Sequence, residues 1–201
     1  MTNYQLKWIA MISMVIDHTG YVFFQASPYY ELFRIIGRIS FPLYCYLLVE
    51  GFFHTSNLKK YWIRMGILAI SSQLPFYLIG GKGLNVVFTL FLGLTALIFF
   101  KYEKTIPILL CMIVAIFLHT DYSCMGVLLI IIFYLAYWQK HKYLYYAAAT
   151  GLTLNNIGCI FSIPFLYSYN GKKGNSRLPN LFYYAFYPAH LFILYLLSLF
   201  F

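Results

Sequence analysis

Asp17 and His18 stand side by side in WIAMISMVIDHTGYVFF, an otherwise apolar run near the N-terminus. Ionisable residues in a hydrocarbon-length helix are expensive, so they face a protein interior or a watery cavity and mark candidate sites. Neutral imidazole is the natural general base near pH 7. It can take a proton from an amine or hydroxyl as that group attacks an acyl carbon. Arg34 and Arg38 follow, spaced to share one helix face. Arginine and lysine are the natural clamps for phosphates or a developing oxyanion. The set suits acyl transfer from a phosphate-bearing donor such as acetyl-CoA. It equally suits a proton-coupled transporter, with Asp, His and Glu as a relay. The same residues also admit a purely structural reading, with Asp17 as an arginine's partner and His18 as a hydrogen-bonded core histidine.

Adjacent side chains on a helix diverge by about 100°, so Asp17 is not expected to orient His18. It is expected to pair with Arg34 or Arg38. At about 1.5 Å per residue, His18 lies roughly 18 Å into a helix that begins near Leu6, and Arg38 roughly 7 Å into one that begins near Phe33. Antiparallel packing of those helices brings Arg38 to nearly the depth of Asp17 and His18.

The elements that must position these residues are apolar segments at 6–26, 33–53, 61–79, 84–100, 105–118, 123–138 and 181–201. The second carries Pro42, expected to kink it, and Glu50, a further costly charge. Thr55 or Asn57 is expected to cap the third. That segment holds the polar patch Ser71-Ser72-Gln73-Leu74-Pro75, tolerated at depth only against protein or water. Asn85 and Thr89 share a face of the fourth. Residues 143–171 carry no charge and are interrupted by Asn155-Asn156 and Pro164. They are too short for two spans and read as one tilted span or a re-entrant, broken element. His190 in the last segment reads as a packed histidine, Asp121 as a turn residue on the outer side, and His54 and His141 as solvated.

Composition sets the class. The chain has 201 residues, 62% hydrophobic and 9% charged, with mean hydropathy +0.74. No soluble domain of this size hides so much apolar surface. The expected fold is therefore an all-α polytopic membrane protein, one transmembrane domain over 1–201, a bundle of about eight hydrophobic segments with one re-entrant or broken. The first segment does not read as a cleaved signal peptide. The positive charges behind the net +9 lie mostly in short loops, where the positive-inside rule accounts for them without nucleic acid. Lys7, Lys59, Lys60, Arg64, Lys101, Lys104, Lys140 and Lys142 fall on one side and Lys82 on the other, so the N-terminus is expected to be cytoplasmic. Lys172, Lys173 and Arg177 join that side if 143–171 is re-entrant. Cys45, Cys111, Cys124 and Cys159 are scattered singly, so neither a metal site nor a disulfide framework is expected. GKGLN and GKKGN lack P-loop spacing.

The chain resembles the TraX family of membrane proteins. The resemblance rests on Leu6-Lys7 through Asp17-His18-Thr19-Gly20, Arg34-Ile35-Ile36-Gly37-Arg38-Ile39-Ser40-Phe41-Pro42, Glu50-Gly51-Phe52 and Thr55 through Arg64. It continues at Ser72-Gln73-Leu74-Pro75-Phe76, Leu84-Asn85 through Thr89, Asp121-Tyr122, Tyr169-Asn170-Gly171-Lys172-Lys173-Gly174 and Phe182 through His190-Leu191. It spans nearly the whole chain in order. One departure is that Tyr-Ser follows Asp121 where the family has Tyr-Gly. The resemblance implies the family's founding activity, N-acetylation of a conjugative pilin at its N-terminus. It also implies kinship with integral-membrane acyltransferases that use a cytosolic acyl-CoA and a histidine in an early transmembrane helix.

The expectation is thus a multi-pass acyltransferase of a bacterial-type cytoplasmic (inner) membrane, in contact with membrane lipids. Acetyl-CoA or another acyl-CoA is its co-substrate, and no metal is required. His18 is the base, with Asp17 and Arg38 as its catalytic companions. Arg34, Arg38, Lys60, Arg64, Asn170, Lys172 and Lys173 are candidates for the donor. Glu50, Gln73, Asn85, Asp121, Tyr122 and His190 are candidates for the substrate cavity. The acceptor stays open among a pilin-like protein, a glycan and another envelope molecule. A proton-coupled transporter or flippase of a small anion, and a non-catalytic assembly factor for a surface structure, are the alternatives.

Overall fold

The computed structural model describes residues 1–140, 157–175 and 178–200. His141, Lys142, Asn155-Asn156 and Arg177 lie outside them, as does all of 143–156. Among the described residues the chain is helical, with no strand.

Helix α1 (Asn3–Phe23) starts at a capping box. The Gln5 N–H donates to Thr2 Oγ1, and the Thr2 N–H donates to Gln5 Oε1. The single helix expected over 33–53 is instead two, α2 (Tyr30–Gly37) and α3 (Ser40–His54), parted at Arg38 and Ile39. Pro42 has no N–H for the Arg38 carbonyl, so the break falls one turn before it. Pro42 itself sits in the first turn of α3, where proline is tolerated. Helix α4 (Leu58–Leu78) is capped by Asn57, whose Oδ1 accepts from the Lys60 N–H at 2.9 Å. Helices α5 (Val86–Lys101), α6 (Thr105–Phe117) and α7 (Ser123–Gln139) run back and forth. A 3-10 turn (Ile157–Ser162) leads into the short α8 (Ile163–Tyr167), and α9 (Asn180–Ser198) closes the bundle.

Helix α3 is the centre. Most of its residues from Phe41 to Phe52 are buried, and it packs on α1, α5 and α7. Helix α1 also packs on α2 and α9, and α4 on α5 and α9. Among the described residues, two helical stretches are long and apolar enough to cross a membrane: Tyr30–His54, through the α2–α3 break, and Leu181–Ser198. Helices α5, α6 and α7 are apolar but shorter.

Contacts define the two ends of the bundle. At the end holding the N-terminus, Asn3 donates to Glu50 near the end of α3, and its N–H donates to the Lys172 carbonyl at 2.9 Å. The Asn170 N–H donates to the Met1 carbonyl at 2.9 Å. The turn bearing Lys172 and Lys173 therefore lies with Lys7, at the end that the loop-charge count favours. At the opposite end, an isolated bridge joins Leu84 to Thr120. The Asp121 N–H donates to the Leu84 carbonyl at 3.0 Å. Gly83 has φ +73°, and a Cβ there would overlap the His119 carbonyl, so only glycine fits.

The same turn is strained. His119, Tyr122 and Ser123 all have positive φ, at 48°, 64° and 46°. Ser123 stands where the resemblance implies a glycine, and its left-handed backbone is one that glycine adopts without strain. A non-glycine residue there costs about 1–2 kcal/mol, against about 0.5–1 kcal/mol of chain entropy that glycine forfeits. Ser123→Gly is therefore expected to stabilise the protein by about 0.5–1 kcal/mol, read as a raised thermal unfolding midpoint. An unchanged or lowered midpoint would show that the strain is relieved elsewhere.

Candidate functional site

The part-buried imidazole of His18 meets the other end of the chain. His18 on α1 and His190 on α9 lie with Nδ1 and Nε2 2.8 Å apart, their rings stacked at 5.0 Å. The Nδ1 of His190 is 2.9 Å from the Phe186 carbonyl. A carbonyl only accepts, so His190 Nδ1 carries the proton. Its Nε2 is then a lone pair, and His18 Nδ1 must donate to it. That leaves His18 Nε2 unprotonated, the form a general base requires. The neutral pair thus has one arrangement of protons, set by a backbone carbonyl one turn back along α9.

Asp17 turns away from this pair. Its Oδ2 accepts from Arg34 Nη1 at 2.7 Å, an ion pair whose side chains are 12% and 20% exposed. Of the two arginines expected to serve it, Arg34 does so, flanked by the rings of Tyr21 and Tyr30 at 5.5 and 6.0 Å. Asp17 Oδ1 has no hydrogen-bond partner among the described residues and lies against Gly37, where a Cβ would overlap it. Arg38 is directed elsewhere: its Nη1 donates to the Tyr122 hydroxyl at 3.0 Å, and Tyr122 stacks on Phe41 at 3.7 Å.

Two cavities approach from opposite ends. The larger, about 680 Å³, opens at the N-terminal end. Lys7, Arg64, Lys173, His54 and Glu50 surround its mouth, while Met11, Met14, Met65, Leu68 and Leu90 line its interior. Tyr187 also lines it. The smaller, about 300 Å³, lies at the opposite end. Asp17, His18, Arg34, Lys82, Asp121 and Tyr122 are among its walls. Tyr187 and His18 have ring centroids 6.1 Å apart, edge to face. Tyr187 lines the larger cavity and His18 the smaller, so the linings of the two meet at that contact.

The remaining expected residues divide. Arg64 lines the large cavity and lies over the rings of Tyr61 and Tyr184 at 6.0 and 5.8 Å. Lys173 lines it, whereas Lys172 and Lys60 are exposed outside it. Asn170 Oδ1 accepts from the Lys172 N–H at 3.0 Å and so shapes its own turn. Glu50 is held by Asn3 and Tyr169. Gln73 and Asn85 line neither cavity. Gln73 Nε2 donates to the Gly83 carbonyl at 2.9 Å, and Asn85 Nδ2 donates to Gln73 Oε1 at 2.9 Å and to the Ala69 carbonyl at 3.0 Å. They pin the α4–α5 connection that carries Lys82. Lys7, His54 and Tyr187 are additions that sequence reasoning did not single out. Tyr187 sits one turn before His190, a spacing that puts both on one face of α9 and was the available signal.

Fold and site together define a helical bundle with a tautomer-fixed histidine pair at the meeting of two opposed cavities. The chain belongs to the TraX family: the family model "TraX protein" matches residues 2–198. "Probable fimbrial assembly protein FimC, serogroup H1" of Dichelobacter nodosus is 32% identical, covering 95% of this chain and 93% of that one. An uncharacterised protein of Rickettsia prowazekii (strain Madrid E) is 31% identical over 52% of this chain and 40% of its own. No solved structure matches.

Two outcomes test this geometry. In nitrogen-15 histidine spectra His18 should be the Nδ1–H tautomer, and His190→Ala should let both tautomers coexist; a mixed His18 in the wild type would contradict the relay. Gly37→Ala should drive Asp17 off α2 and lower stability by about 1–3 kcal/mol in thermal unfolding. An unshifted midpoint would mean the helices part freely.

Proposed function

We propose that this protein is a multi-pass protein of the cytoplasmic membrane that transfers an acyl group from acyl-CoA to an amine or hydroxyl of a cell-envelope acceptor. The observation that carries the reading is the His18–His190–Phe186 chain of contacts, which leaves His18 Nε2 as the basic nitrogen where the linings of two opposed cavities meet. Membrane placement is supported by apolar residues that face outward at helical spacing. Ile63, Ile67, Ile70 and Leu74 do so on α4, and Ile106, Leu109, Ile113 and Phe117 on α6. A bundle with such an exterior suits lipid as its surroundings. The basic end would then face the cytoplasm.

The large cavity suits the donor. Lys7, Arg64 and Lys173 offer cations for its phosphates, and the methionine-rich interior suits an apolar arm that reaches inward to Tyr187 and His18. The acceptor enters from the other end, past Lys82 and Asp121. His18 Nε2 takes the proton from the attacking amine or hydroxyl while the new bond to the acyl carbon forms. The carbon–sulfur bond then breaks, and the proton passes to the departing thiolate. The kinship with a relative named for fimbrial assembly, together with the family's pilin-directed activity, supports an acceptor in a surface appendage.

That relative's name also favours a second reading, a non-catalytic assembly factor. One assay separates them. Purified protein supplied with acetyl-CoA and an amine- or hydroxyl-bearing acceptor extract should release free CoA thiol. His18→Ala should cut that release by roughly 10²–10⁴-fold while the protein stays folded. Wild-type rates in His18→Ala would remove His18 as the base. An assembly defect in cells without any thiol release in vitro would favour the second reading.

A further inference from the structure

Acyl transfer develops negative charge on the carbonyl oxygen, and a base alone does nothing for that charge. A donor must face it. The two arginines beside His18 are already engaged: Arg34 with Asp17 and Arg38 with Tyr122. Tyr21, also on the wall of the smaller cavity, donates its hydroxyl to the Gly80 carbonyl at 2.8 Å.

Tyr187 is different. It is 6% exposed, and its hydroxyl has no hydrogen-bond partner among the described residues. A buried phenol left this way has given up its hydrogen bonds to water without replacing them, and an orphaned polar group of this kind calls for an explanation. Its position is equally specific. It lines the large cavity, and its ring packs against both His18, at 6.1 Å, and His190, at 5.5 Å. Met14, one turn before His18 on α1, lines the same cavity. An acyl group that advances down that cavity to reach His18 must pass Tyr187. Asp17 Oδ1 is the other buried orphan, but it lies against Gly37 and can only accept. Of these two, only the phenol can donate.

We infer that the Tyr187 hydroxyl is the donor that binds the acyl carbonyl oxygen of a thioester where the two cavities meet. This rests on the acyl-transfer reading above and adds a second catalytic residue to it. In the step, the acceptor nitrogen or oxygen bonds to the acyl carbon as His18 Nε2 takes its proton. The carbonyl oxygen gains negative charge and accepts the Tyr187 hydrogen bond. The carbon–sulfur bond then breaks, the carbonyl re-forms, and the thiolate leaves with the proton from His18. The thioester donor and the amine or hydroxyl acceptor are the only reactants the balance needs. Before the donor arrives the hydroxyl is unsatisfied, and binding completes it.

The test is Tyr187→Phe, which removes only the hydroxyl. It should lower the rate of CoA-thiol release at saturating donor roughly 10²–10³-fold, with the KM for acetyl-CoA nearly unchanged. Its thermal midpoint should equal or exceed that of the wild type, because an unpartnered buried group has gone. A second measurement does not depend on turnover. In a His18→Ala background, acetyl-CoA labelled with carbon-13 at the carbonyl should show a bound stretch at lower frequency than free acetyl-CoA, and adding Tyr187→Phe should remove that shift. A Tyr187→Phe protein with near-wild-type turnover, or the same bound frequency with and without the hydroxyl, overturns the assignment while leaving His18 and the acyl-transfer reading intact. Failure of the wild-type protein to bind acetyl-CoA or release its thiol overturns that reading, and the Tyr187 assignment with it.

Discussion

The Phe186 carbonyl is the constraint on which the site depends. It is a backbone acceptor and cannot change role. It fixes the proton on His190 Nδ1, which turns His190 Nε2 into an acceptor and makes His18 Nδ1 a donor. The basic face of His18 is thus set by the helical backbone of α9, and no carboxylate is involved. This arrangement suits an apolar bundle. A buried carboxylate beside the imidazole would need its own compensation. The carboxylate that is present, Asp17, is already matched by Arg34. Charge pairing and base orientation are served by different partners on different sides of α1.

That separation explains how the helices are placed. Helix α1 is held by α2 through Asp17 and the close approach at Gly37, and by α9 through His18. Its first turn is held by the turn at 169–174 and by Glu50. Three separate attachments fix the depth and the rotation of one helix. The imidazole is therefore positioned by rigid elements, which is what a reacting group needs if its geometry is to persist.

The sequence made the segments legible because composition and length are local properties. Helix α1 appears at Asn3–Phe23 against an expected 6–26, and α4 at Leu58–Leu78 against 61–79. Depth arithmetic led to an arginine partner for Asp17 but not to a choice between the two. The α2–α3 break at Arg38 turns Arg38 toward Tyr122, and only the proline four residues on gave warning of that phase change. The His18–His190 contact joins opposite ends of the chain, and no periodicity within a helix reports such a pairing. Gln73 and Asn85 looked like cavity residues because they are polar at depth. They instead satisfy the backbone near a proline-bearing helix end, and polarity alone does not separate the two uses. The resemblance to the TraX family, in contrast, was visible from short motifs in order, and the family match covers the same span.

Tyr187 on the wall of the basic-mouthed cavity packs against His18 on the wall of the smaller one. On the proposed reading the basic cavity holds a cytosolic donor. A reaction at that contact would then let a donor and an acceptor from opposite sides meet without either crossing the membrane whole. Only the acyl group would cross, over the width of two aromatic rings. A continuous channel would leak ions, and a thick wall would keep the reactants apart. On the proposed reading, a thin wall made of the reacting groups themselves would avoid both. On that reading it would also account for the Tyr187 hydroxyl, which no described residue satisfies: it would be part of the wall until a carbonyl reached it.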